Sequence, residues 1–85
     1  MVEVAQSSLR LDRTRKAAIY SKAGVEDYWI VNLVDRQLEV HREPVRLDRP
    51  RRRWGYRSVT TLDPADVVRP LAAPGGRVTV SDLLP

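Results

Sequence analysis

Residues 27–34, DYWIVNLV, constrain this chain more than any other stretch. They are apolar on both of the faces a strand presents, so as a strand they need cover from two sides, as the centre of a sheet with layers above and below. Asp35-Arg36 then reads as a tight turn. QLEVHR (37–42) follows, alternating Leu38 and Val40 with Glu39 and His41, the pattern of a hairpin partner with one wet face. On this reading His41 points outward, with no nucleophile or acid beside it, and receives no role.

Upstream, VEVA (2–5) is a short apolar run broken by one acid, ending at Gln6-Ser7-Ser8. It reads as a strand entering a loop, with a helix from about Asp12 to Ala23. Ser7 or Ser8 could cap the helix, and Gly24 is its expected stop. Strand, helix and strand in succession favour a right-handed parallel crossover. Downstream, EPVRLDRPRRRWG (43–55) reads as a polar connection and YRSVTTL (56–62) as a further strand. Turn signals at Asp63-Pro64 and Pro74-Gly75-Gly76 and a short strand RVTV (77–80) complete the order β-α-β-β-β-β. The expected class is α+β: a mixed sheet with the helix on one face, within a single unit spanning residues 1–85.

With no Cys and one His, thiolate and multi-histidine metal sites are excluded. No apolar run approaches the roughly 20 residues needed to span a membrane, and the first residues lack a signal-peptide pattern, so a cytoplasmic location without a membrane partner is expected. The net charge of +4 comes almost wholly from arginine and permits an anionic partner without requiring one.

On a helical wheel Ile19, Tyr20 and Ala23 are the best core candidates, and Asp12 and Lys16 fall within the same arc. Two readings of that pair stand. It is an i,i+4 ion pair with the lysine reaching out past the rim, or the stripe borders a sheet edge where Lys16 sits beside a metal-bound phosphate. The second needs an acid on the preceding strand, and Glu3 is in place. Glu3 is equally an edge-strand charge that discourages aggregation.

These residues as a set, Glu3-Val4, Ser7-Ser8, Asp12, Lys16, Tyr20, Gly24-Val25, Tyr28-Trp29-Ile30-Val31 and Leu38-Glu39-Val40, closely resemble the C-terminal half of the Uma family of putative restriction endonucleases, itself similar to the PD-(D/E)XK nucleases. The tail from Tyr56 is similar as well. The resemblance implies a partial restriction-endonuclease-like fold and metal-dependent hydrolysis of DNA phosphodiesters. Glu3 is then a ligand for Mg²⁺ (or Mn²⁺), and Lys16, moved to the helix because the usual lysine position is Ala5, steadies charge on the phosphate. Asp12 would orient Lys16 or the metal's water shell. Asn32 stands where the family usually has Asp. The strand supplying the other metal acid has no counterpart here. Weak metal binding and no activity of the chain alone are therefore expected, unless a separate first half or a second copy completes the site.

RLDRPRRRWGYR (46–57) is the densest basic stretch, with Trp54 and Tyr56 beside it. It could track a phosphate backbone or be a solvated loop with its aromatics in the core. A non-catalytic nucleic-acid-binding or interaction module, or a remnant without function, is the reading that competes with the nuclease.

Overall fold

The structure, a computed structural model, describes residues 1–6, 10–49 and 51–85, with side chains for all of these except residues 10–12. Its frame is a four-stranded mixed sheet in the order β1-β2-β3-β4: β1 (Val2–Ala5), β2 (Asp27–Asn32), β3 (Gln37–Leu47) and β4 (Arg53–Leu62). β1 runs parallel to β2 through the helix α1 (Arg10–Lys22), and the remaining pairs are antiparallel. The α+β class and the mixed sheet are as the sequence indicates. Residues 7–9, with the proposed serine caps, lie outside the described residues.

The two-faced strand is central and covered on both sides. Tyr28 and Ile30 face α1, in a cluster with Tyr56, Ala5, Ala17, Tyr20 and Val25. Trp29 and Val31 face the opposite way, joining Leu38, Val40, Val68, Val80 and Leu84. That second cover is built by the tail: β5 (Val67–Val68) paired with β6 (Val78–Thr79), then a 3₁₀ turn, Val80–Leu83. The sequence reading finds β6 but neither β5 nor this packing role. The tail is tied down through Asp27, whose carboxylate accepts from Arg42 Nε (2.9 Å), Trp29 Nε1 (2.7 Å) and the Leu71 amide (2.9 Å).

α1 ends where expected. Gly24 has φ +81°, and the amides of Gly24 and Val25 return to the carbonyls of Ser21 and Tyr20, both at 3.0 Å. This is a Schellman closure that glycine enters without a Cβ penalty. The buried face differs from the wheel, however. Ser21 is fully buried, whereas Ile19 is 57% exposed and Ala23 is exposed. The face toward the sheet is turned roughly 100° from the expected stripe. Small Ala17 and Ser21 let the helix sit close to the sheet, and the bulk beneath it comes from tyrosines on the strands. Ser21 is satisfied by donating to the Ala17 carbonyl at 2.6 Å.

The hairpin also departs from expectation in three ways. β2 stops at Asn32, whose Oδ1 accepts the amides of Val34 and Asp35, both at 3.1 Å, so the turn is four residues organised by this side chain. The wet face of QLEVHR is not wet: Glu39 and His41 point under α1, and His41 is only 5% exposed. Finally, the polar connection is mostly strand. β3 continues through Pro44 to Leu47, and β4 begins at Arg53. Glu43, at φ +61°, interrupts the ladder between Arg42–Ser58 and Pro44–Tyr56 without adding a residue. Val59, opposite His41, lies on the helix side. Tyr56, three residues away, would alternate to the other side, yet it also joins the helix-side cluster. The interruption at Glu43 breaks the alternation.

Candidate active site at the sheet edge

Glu3 stands in β1, in register with Ile30, and Ile30 is in register with Glu39 of β3. The two acids therefore share one face, two strand spacings or about 9–10 Å apart. Each meets a cation from α1: Lys16 Nζ is 3.1 Å from Glu3 Oε2, and Arg13 Nη2 is 3.0 Å from Glu39 Oε2. Residues 13 and 16 are neighbours on a helix face, so one helix turn serves both acids.

Glu3 is held by more than Lys16. The Tyr20 hydroxyl donates to Oε1 and the Tyr28 hydroxyl to Oε2, the latter at 3.2 Å. Burial pushes the Glu3 carboxyl upward, but the hydrogen bonds from Tyr20 and Lys16, the Lys16 charge and the Tyr28 hydroxyl outweigh it. They hold the group below its ordinary value and thus ionised at neutral pH. The Tyr28 hydroxyl is pushed up by burial and by the Glu3 charge, so it remains a donor. Lys16 keeps 41% of its side chain exposed, which leaves its ammonium in reach of solvent and of a bound anion.

The sequence reading passed over the two tyrosines, treating Tyr20 and Tyr28 as core. The available signal was that Tyr20 lies one turn beyond Lys16 and that Tyr28 shares the face of Ile30. His41 was also misplaced. It lies between Tyr28 and Tyr56, with ring centroids at 5.3 and 5.7 Å, and its Nε2 is 3.4 Å from Glu39. Burial lowers its pKa, against the raising effect of Glu39. Asp12 belongs to the first turns of α1, but its side chain lies outside the described residues.

Glu3 offers one carboxylate to a divalent metal. The Met1 and Ala5 carbonyls accept from the β2 side, at 2.8 and 3.0 Å, so by alternation the Val4 carbonyl faces the outer edge. Glu39 is too far away to share an ion with Glu3, and among the described residues no three His, Cys, Asp or Glu side chains come together. These residues make at most half of a Mg²⁺ site, because Mg²⁺ demands close octahedral placement of its carboxylates. The described residues also contain no helix long and apolar enough to cross a membrane.

No curated protein matches the chain. A family model does match, over residues 1–81: Uma2, described as a putative restriction endonuclease. With a match over almost its whole length and a mixed sheet of the expected class, the chain belongs to the Uma2 family.

Proposed function

We propose that these 85 residues form the part of a metal-dependent DNA endonuclease domain that carries Glu3 and Lys16, and that they do not cleave DNA by themselves. The observation that carries the proposal is the ionised Glu3 carboxylate at the sheet edge with the ammonium of the partly exposed Lys16 side chain 3.1 Å away. An acid and a cation so placed suit a phosphodiester: the acid attracts a divalent ion, and the lysine pairs with a non-bridging phosphate oxygen as negative charge builds there. Tyr20 and Tyr28 keep Glu3 ionised and fixed in direction. In this reading Mg²⁺ or Mn²⁺ binds weakly at Glu3, and a second acid from another chain segment or another copy completes the site. Asp12 keeps its suggested role of orienting Lys16.

Plasmid nicking in Mg²⁺ or Mn²⁺ tests this. The chain alone is expected to leave supercoiled DNA intact. Metal-dependent nicking that disappears in both Glu3→Ala and Lys16→Ala would overturn the inactivity and keep the site.

A second reading rests on Arg13–Glu39, which repeats the same helix-to-sheet pairing without any edge position. On that reading both pairs only clamp α1 to the sheet. Mn²⁺ titration followed by paramagnetic broadening separates the two. Broadening centred on Glu3 and lost in Glu3→Gln supports the site, and no broadening there leaves the clamp.

A further inference from the structure

The net charge of the chain is not spread over its surface. Residues 43–57 carry six arginines and two acids, while the rest of the chain carries nine Lys or Arg and nine Asp or Glu. The whole excess of +4 therefore sits on the outer part of the β3–β4 hairpin. Arg46, Arg49, Arg51, Arg52 and Arg57 are exposed there, and Arg53 is half-buried. Among the described residues, none of the six takes part in a salt bridge, so their charge is not neutralised locally.

The backbone beneath them is built. Leu47 pairs with Arg53, Arg46 with Trp54 and Val45 with Gly55, so the strands stay laddered up to the turn. Arg53 donates to the Arg49 carbonyl at 2.6 Å, closing the turn, and the Arg46 guanidinium lies 5.7 Å over the Trp54 ring. Along its helix side the ribbon borders a groove of about 200 Å³, whose lining includes Arg13, His41, Arg53 and Trp54.

We infer that this two-stranded ribbon is a duplex-DNA-binding arm that lies in the major groove and holds the phosphate backbone with its arginines. A B-form major groove is about 12 Å wide and admits a two-stranded ribbon, whereas that of A-form RNA is too narrow. Single strands are bound largely by bases stacking on exposed aromatics. Here Tyr56 is buried with its hydroxyl on the Val25 carbonyl, and Trp54 is half-buried beside Arg46. The arm deepens the nuclease reading by naming how DNA is held, but its binding does not depend on Glu3.

Fluorescence anisotropy with a labelled 20-base-pair duplex, run across a salt series on the full chain, tests it. Six arginine contacts at most give a slope of log K against log salt near −5. Replacing Arg49, Arg51 and Arg52 by Ala should reduce that slope by about three, with an unchanged melting temperature because these three residues are exposed. The Lys versions should keep the slope. Glu3→Gln should keep it too, so failure of the edge site and failure of the arm are told apart. An unaltered slope in the triple Ala variant overturns the proposal. So does binding of single-stranded DNA or duplex RNA of the same length as tightly as duplex DNA.

Discussion

At the scale of single residues, Glu3 shows how an acid in an apolar strand is stabilised rather than merely tolerated. Its donors come from the helix and the next strand, and together they depress its pKa below the ordinary 4.5 despite burial. A carboxyl with a depressed folded pKa stabilises the fold above its unfolded value, and that contribution is lost as pH falls through the folded pKa. Glu3→Gln should therefore be less stable than the parent at neutral pH. The gap should narrow as pH falls below about 4, measured by urea unfolding at a series of pH values. Asn32 illustrates the same economy. As an amide it both accepts from the turn and donates to Asp35 at 3.1 Å, which a carboxylate there could not do.

At the scale of elements, the β3–β4 hairpin depends on one unusual backbone position. Glu43 holds φ +61°, a region that costs an L-residue roughly 1–2 kcal/mol and excludes β-branched side chains most strongly. Glu43→Val should lose about 1–2 kcal/mol and loosen the ribbon, while Glu43→Gly should be neutral or better. Thermal melts rank the two, and amide exchange at Pro44's neighbours reports the ribbon. The helix makes a complementary point. Its weak apolar stripe cannot say which side is buried. What rotates it is the shape of the sheet beneath, where tyrosine rings from β2 and β4 favour small Ala17 and Ser21 over Ile19, with Tyr20 packing edge-on against Tyr28.

At the scale of the molecule, the sheet is a layer between a helix and a tail, and Asp27 is the tie to the tail. Its carboxylate gathers Arg42, Trp29 and the Leu71 amide, and Arg42 also reaches the Arg69 carbonyl at 2.6 Å. Those bonds hold the carboxyl below its ordinary value against burial, which raises it. Removing the acceptor leaves several donors unmatched. Asp27→Ala should lose about 2–3 kcal/mol, or on the order of 10 °C in melting temperature for a domain of this size. Trp29 fluorescence should shift to the red as the tail detaches. An unchanged melt would mean that Val80 and Leu84 suffice to seat the tail.

Much of this was legible in the residues alone, for local reasons. The two-faced apolar run of β2, the Gly24 stop and the parallel crossover follow from period, backbone freedom and chirality, which act over a few residues. That Lys16 lies beside Glu3 was implied by the family pattern alone, since spacing left an Asp12–Lys16 ion pair equally open. What only the tertiary structure decided depends on distant partners. Period-2 alternation told Glu39 and His41 from Leu38 and Val40 but could not say which face the helix would cover, so His41 looked wet and is buried. The arginine stretch looked like a loop because its charges oppose burial, yet its two ends, Arg46–Leu47 and Arg53–Arg57, belong to the β3–β4 ladder and keep those charges together. The tail's role as the second cover was hidden because each of its apolar residues is isolated in sequence, and only the sheet brings them side by side.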